Sequence, residues 1–219
     1  MADSSPVDPL GGRTVVLAGE PSAGEREGAP LAGEGGALRD QAEACLAALG
    51  ARIVSVAMDG AVGPAVADLK AEVRVQAALE RVAAFVGSAD ALVFVGRDLR
   101  EGEGIADFIE ESIASYHFHL KLAKRLRVQA ATDVVALAWS SATGEEAALA
   151  ADIRNGALRQ MSLVAASEGG PLKPPLLANA VTVSGEATEN PSGSLTALLG
   201  RLLARPQGYV TGTSLAVAL

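Results

Sequence analysis

Short, nearly uncharged apolar runs alternate along this chain with longer stretches whose apolar residues recur every three or four positions. The short runs read as strands: residues 13–18 (RTVVLA), 52–57 (RIVSVA), 91–95 (ALVFV), 134–139, 177–183 and 213–217, with a weaker one at 62–67. The longer stretches read as helices. Residues 37–49 place Leu38, Ala42, Cys45, Leu46 and Leu49 on one face, and Gly50 follows as a stop. Residues 72–86 carry Val75, Leu79, Val82 and Val86 near the helical period, and residues 104–126, 145–166 and 194–204 complete the set. The run 91–95 has no polar residue, as expected of a parallel strand covered on both faces. Strand–helix alternation with right-handed crossovers predicts an α/β fold, a doubly wound parallel sheet in a single domain. Residues 1–12 read as an N-terminal extension, 13–219 as the domain, and 20–36 (EPSAGEREGAPLAGEGG) as an inserted loop.

Composition narrows the function. The chain has 219 residues, 49% of them hydrophobic, enough for a core and too many for a disordered chain. The net charge of −8 opposes a general grip on nucleic acid through its phosphates. Four Phe, two Tyr and one Trp are too few for a base-stacking platform. The single cysteine, Cys45, excludes an internal disulfide framework and a cysteine-rich zinc site; it falls on an apolar helix face and reads as core. His117 and His119 lie two residues apart on a helix, about 200° around it, so they do not share a metal. They read as helix-contact or surface residues, and 121–127 (KLAKRLR) as a solvated face. The apolar runs fall short of the ~18 residues a spanning helix needs, and 1–12 lacks the basic-then-apolar order of a secretory signal. The expectation is a cytoplasmic protein with no membrane or nucleic-acid partner.

Several segments resemble, in order, the short-chain dehydrogenase/reductase family. Residues 151–165 (ADIRNGALRQMSLVA) are similar to the helix that carries the family's Tyr-x-x-x-Lys pair. Residues 178–185 (ANAVTVSG) resemble its N-x-V-x-P-G turn, and 208–217 (GYVTGTSLAV) its closing stretch. Residues 89–96 (ADALVFVG) resemble the strand before its N-N-A-G turn, and Asp68 the aspartate that touches adenine. The resemblance implies a Rossmann-like domain binding NAD(P) and transferring hydride, with a Tyr whose pKa a Lys four residues on lowers. Aligned on that helix, the Tyr position holds Ala151 and the Lys position Asn155. Neither residue can move a proton or depress a pKa. Tyr116 and Tyr209 have Leu120 and Thr213 four residues on, so no substitute pair exists. Ser140 or Ser141 stands where the family's carbonyl-polarising Ser would be, as a vestige, and the family's helix-breaking Asn falls near Ile113.

The nucleotide end departs as well. Ala18-Gly19 opens the family's glycine turn, but the last two glycine positions fall on Ala37 and Arg39. Glu20, Glu25, Glu27 and Glu34 in the insert would repel a diphosphate, although Gly33, Gly35 and Gly36 can be brought into register with a gap. Gly19 and Asp68 are the cofactor-binding candidates, each with a plainer reading as a turn or cap residue. The N-N-A-G turn is reduced to Val95-Gly96-Arg97, and residues 186–192 leave a short substrate loop.

The resemblance therefore implies a pseudoenzyme: no catalytic residues, no cofactor or metal on this chain, and a catalytically active partner that brings Tyr, Lys, Ser and NAD(P). The family's long helices usually meet between subunits, so Tyr116, Leu120, Leu158, Leu163 and Tyr209 are the interface candidates of a heterodimer or heterotetramer. By analogy with two-chain members, the complex would act on 3-hydroxyacyl/3-oxoacyl thioesters, as in the benzylsuccinyl-CoA-type alcohol dehydrogenase of anaerobic toluene degradation. The alternative is an atypical NAD(P)-binding oxidoreductase or nucleotide sensor using Ser141 with Tyr116 or Asp152. That reading needs Gly33–Gly36 at a helix N-terminus facing an open cleft, whereas a pseudoenzyme needs the cleft filled.

Overall fold

The computed structural model describes residues 9–19, 34–56, 69–126, 132–140, 144–185, 192–204 and 211–219. Six strands form one parallel sheet: β1 (Thr14–Ala18), β2 (Arg52–Val56), β3 (Ala91–Val95), β4 (Thr132–Trp139), β5 (Leu176–Ser184) and β6 (Ser214–Ala218). Their order is β2-β1-β3-β4-β5-β6. Five helices join them: α1 (Glu34–Ala48), α2 (Leu69–Val86), α3 (Ile105–Leu126), α4 (Glu145–Gly169) and α5 (Gly193–Leu203). The six stronger strand expectations and all five helix expectations correspond to these elements. The weaker strand at 62–67 lies outside the described residues.

Alternate residues of each inner strand feed two apolar layers. Val16, Leu92, Phe94, Val134 and Ala136 face a layer that includes Leu79 of α2, Tyr116 and Leu122 of α3 and Leu158 of α4. Val15, Leu17, Val93, Val135 and Leu137 face a layer that includes Leu38, Cys45 and Leu46 of α1 and Leu195 and Leu199 of α5. Both faces are therefore covered, and the order reverses between β1 and β3. A crevice at such a reversal, outside the carboxyl ends of the strands, is where open α/β sheets bind ligands.

Two boundaries differ from the sequence expectation. Leu10 is fully buried and its N–H donates to the Leu49 carbonyl at 3.0 Å, so Leu10 packs with the domain, and residues 1–8 lie outside the described residues. The helix after the insert starts at Glu34, inside the expected loop, which puts Gly35 and Gly36 in its first turn. Its end follows expectation. Gly50, at φ 77°, donates to Ala47 and Ala51 donates to Leu46, the paired bonds that close a helix through a left-handed glycine.

Three interface expectations are corrected. Tyr116, Leu120 and Leu158 are buried within this chain, at 0%, 6% and 2% exposure, because the inner faces of α3 and α4 pack on β3 and β4. Leu163, at 45%, is exposed on the outer face of α4. Tyr209 lies outside the described residues.

His119 is fully buried, its ring 5.0 Å from Phe94 and edge-on to Phe118 at 5.5 Å. Its Nδ1 lies 2.7 Å from the Ser115 carbonyl, an acceptor, so the proton sits on Nδ1. Burial lowers its pKa to about 4, although that hydrogen bond favours the charged form. Between pH 6.5 and 4 the unfolded chain therefore binds a proton that the folded chain does not, and stability falls as pH falls. The expected loss is about 3 kcal/mol across that window. Urea unfolding at stepped pH should show it, and His119→Phe should remove most of it. The exposed His117, its pKa also lowered by desolvation and by Lys121 and Lys124, and Glu103 at the acid end of the window would leave the smaller remainder. An unchanged slope in the variant would refute this assignment.

Candidate functional site

β3 ends at Val95, and Gly96 follows with its N–H donating to Leu137 O of β4 at 2.8 Å. Arg154 of α4 passes beside it: a Cβ at Gly96 would lie in ordinary contact with Arg154 Cδ, at 3.5 Å. Arg154 is 1% exposed. Its Nη1 donates to the Arg97 carbonyl at 2.5 Å and to Asp98 Oδ1 at 2.6 Å. Its Nη2 donates to the Trp139 carbonyl at 2.8 Å, and its Nε to Asn155 Oδ1 at 3.1 Å. Asn155 Nδ2 donates to the same Trp139 carbonyl at 2.7 Å. One guanidinium thus joins α4 to the carboxyl ends of β3 and β4.

Arg97 forms the second half of the cluster. Its Nη1 donates to Glu103 Oε2 at 2.7 Å and to the Asp98 carbonyl at 3.1 Å, and its Nη2 bridges Glu103 and Glu111. Glu103 Oε2 also accepts the Arg100 N–H at 3.1 Å. The Phe108 ring carries both cations, with the Arg97 Cζ 5.0 Å and the Arg154 Cζ 6.0 Å from its centroid. Burial opposes the Arg97 charge, but the hydrogen bond to Glu103 and the field of Glu111 outweigh it and hold the pKa above the ordinary arginine value. Burial likewise works against the Glu103 carboxylate, and the hydrogen bonds from Arg97 and the Arg100 N–H outweigh it, holding its pKa below the usual value. The two guanidiniums are spent on Asp98, Glu103 and Glu111 and on backbone carbonyls, so the cluster is no anion cradle.

The expected site residues fall around this cluster. Ala151 is buried on the inner face of α4, and Asn155 is spent on Trp139 and Arg154. Neither presents an acid or base. Ser140 donates its backbone N–H to Val183 O at 2.7 Å, at the end of β4. Ser141 and Asp68 lie outside the described residues. Ser112, one residue before Ile113, is buried and its hydroxyl has no partner among the described residues. Gly19 closes β1 at φ 152°, where a Cβ would meet Val95 O at 3.0 Å. Its role is the close approach of β1 to β3. Arg39, at an expected glycine position, is buried and within 3.6 Å of Glu43. Among the described residues no group of His, Cys, Asp and Glu could hold a metal, and no helix is long and apolar enough to cross a membrane.

Sequence reasoning singled out neither Arg154 nor Phe108, and passed over Arg97 as a worn turn. The signal was available. Arg154 stands three residues after Ala151 and four before Leu158, so it shares the helix face that must pack on the sheet. A charge on such a face calls for buried partners.

No protein-family model matches the chain, and no curated protein matches it. Solved structures match over nearly the whole length. A protein of Burkholderia xenovorans assigned to the short-chain dehydrogenase/reductases aligns at TM-score 0.67 and 18% identity, over 95% of this chain and 96% of its own. The RhlG/NADP active-site complex of Pseudomonas aeruginosa aligns at 0.64 and 14%, over 98% of both chains. A short-chain dehydrogenase/reductase of Serratia marcescens aligns at 0.62 and 18%, over 96% of this chain and 97% of its own. The chain therefore has the fold of these oxidoreductases.

That fold implies a dinucleotide across the crevice. Gly35 and Gly36, in the first turn of α1, meet one requirement for it. The ends of β3 and β4 do not fit it. Arg154 uses the Arg97 and Trp139 carbonyls and, with Arg97, places two guanidiniums at the strand ends where the fold's reactive groups would lie. No step of hydride transfer is assigned to this chain.

Replacing Arg154 with Ala orphans Asp98 Oδ1 and the Arg97 carbonyl and leaves the Trp139 carbonyl to Asn155 alone, and should cost about 3–5 kcal/mol in urea unfolding. Arg154→Lys should recover little of it, since an ammonium cannot reach three acceptors from the planar fork position. A loss below about 1 kcal/mol would mean that the cluster is not a stabilising element.

Proposed function

We propose that this chain is a non-catalytic short-chain dehydrogenase/reductase subunit that pairs with a catalytically active, NAD(P)-dependent subunit of the same fold. The observation that carries the reading is Arg154, buried and bound to the carbonyls at the ends of β3 and β4, which in this reading takes the place of the fold's reactive groups. Ala151 and Asn155, at the family's acid/base positions, support it. The catalytic residues and NAD(P) then belong to the partner, in a heterodimer or heterotetramer. The substrate class is a 3-hydroxyacyl or 3-oxoacyl thioester of the benzylsuccinyl-CoA alcohol type, and the complex is cytoplasmic.

The outer face of α4 is the pairing surface in this reading. Leu149, Ile153, Leu163 and Val164 are exposed along it, with Ile113 of α3 nearby in the fold's second long helix. Gly156, midway along the exposed stretch, leaves open space where a Cβ would stand, so another helix can approach closely. Exposed apolar side chains concentrated on one helix are the mark of an interaction surface.

Native mass spectrometry on the chain purified from its own cells tests this. The expected species is a defined complex with a second chain of similar size that carries the nucleotide. A homo-oligomer with one NAD(P) on each chain would overturn the reading. Within the complex, Leu163→Glu should separate the subunits and leave the secondary structure intact, because Leu163 is half exposed. Leu158→Glu should collapse the fold instead, as a buried unpaired charge in the layer between α4 and the sheet.

A further inference from the structure

α3 and α4 lie side by side on one face of the sheet, joined by three contacts at nearly constant offset. Arg154 stands over Phe108, an offset of 46. The Ser162 and Tyr116 hydroxyls share a hydrogen bond of 2.7 Å, again at 46. Lys124 reaches Glu168 at 3.3 Å, at 44. The contacts recur every eight residues along α3, a little over two turns. They differ in character. The Lys124–Glu168 pair is exposed, and such pairs contribute little. The Tyr116–Ser162 bond is buried but single. The first contact is an ion cluster that also grips β3, β4 and, through Glu111, the body of α3.

We propose that Arg154 is a positioning residue: with Arg97, Phe108 and Glu111 it fixes the axial register of α4 against α3, and so the arrangement of the exposed apolar residues on their outer faces. The side chains alternate in direction. Arg154 points inward beside the exposed Ile153, and Glu111 holds Arg97 two residues before the exposed Ile113. Close-packed apolar layers already restrict sliding, and a guanidinium shared among four acceptors and an aromatic face adds directional bonds that hold at one register only. On this account the residues at the strand ends also hold the docking face in place from behind, without touching a partner.

The test measures register directly. Spin labels at Glu110→Cys and Ser167→Cys sit at exposed positions one turn from Ile113 and from Leu163, so the labelled chain serves the distance measurement alone, and the buried Cys45 stays unlabelled. The otherwise native chain should give one narrow distance. Arg154→Met should shift that distance by up to about one helical turn, 5.4 Å, or broaden it at least twofold. Glu111→Ala, at a more exposed position, supplies the same reading if Arg154→Met does not fold. An unchanged distribution in the folded variants would overturn the proposal. Only the second arm rests on the proposed pairing: in native mass spectrometry the folded variant should hold its partner at least about tenfold more weakly. A native chain with no partner would defeat the pairing and leave the register measurement standing. A shifted register with undiminished pairing would overturn the link between the two.

Discussion

A guanidinium turned into a protein interior must find an acceptor for its N–H groups, and much else in this chain follows from Arg154 doing so. Its partners are two backbone carbonyls at the ends of β3 and β4, the Asp98 carboxylate and the Asn155 amide. Gly96 lies beside the side chain as it passes to the strand ends. Arg97 turns the other way, to Glu103 and Glu111, and Phe108 lies against both cations. Each member is satisfied largely by the others, so removing one leaves a charge buried without compensation.

The consequence for function is spatial. The carboxyl ends of the strands beside the reversal of strand order are where this fold keeps its ligands. At the ends of β3 and β4, next to that reversal, Arg154 and Arg97 spend their guanidiniums on the strand ends and on the loop between β3 and α3. The outward-facing residues of α4 have the opposite character. Leu149, Ile153, Leu163 and Val164 are apolar and exposed, and Gly156 stands among them.

The fold was legible because its strands are uniform. ALVFV at β3 and the run at β4 have almost no polar residue, and the helices between keep their period through Leu38, Leu79, Tyr116 and Leu158. The site was legible only as loss, in Ala151 and Asn155. What replaced the chemistry was hidden because a buried ion cluster draws on residues far apart in sequence: Arg97, Glu103 and Glu111 from one loop and helix, Arg154 from another. The interface expectation failed at Tyr116, Leu120 and Leu158 for a related reason. Apolar periodicity marks the face a helix buries, and the sheet, not a partner, buries it here. The outer residues Leu149 and Ile153 break no rule of pattern, so only their exposure singles them out.

The most direct measurement is a calorimetric titration of NADH and NADPH into this chain alone near pH 7. If Arg154 and Arg97 take the place of the fold's reactive groups as argued, neither nucleotide should give saturable heat up to about 1 mM. Binding of one nucleotide per chain with a Kd on the order of 1 μM would contradict the account, because it would require the ion cluster to open or the nucleotide to lie elsewhere.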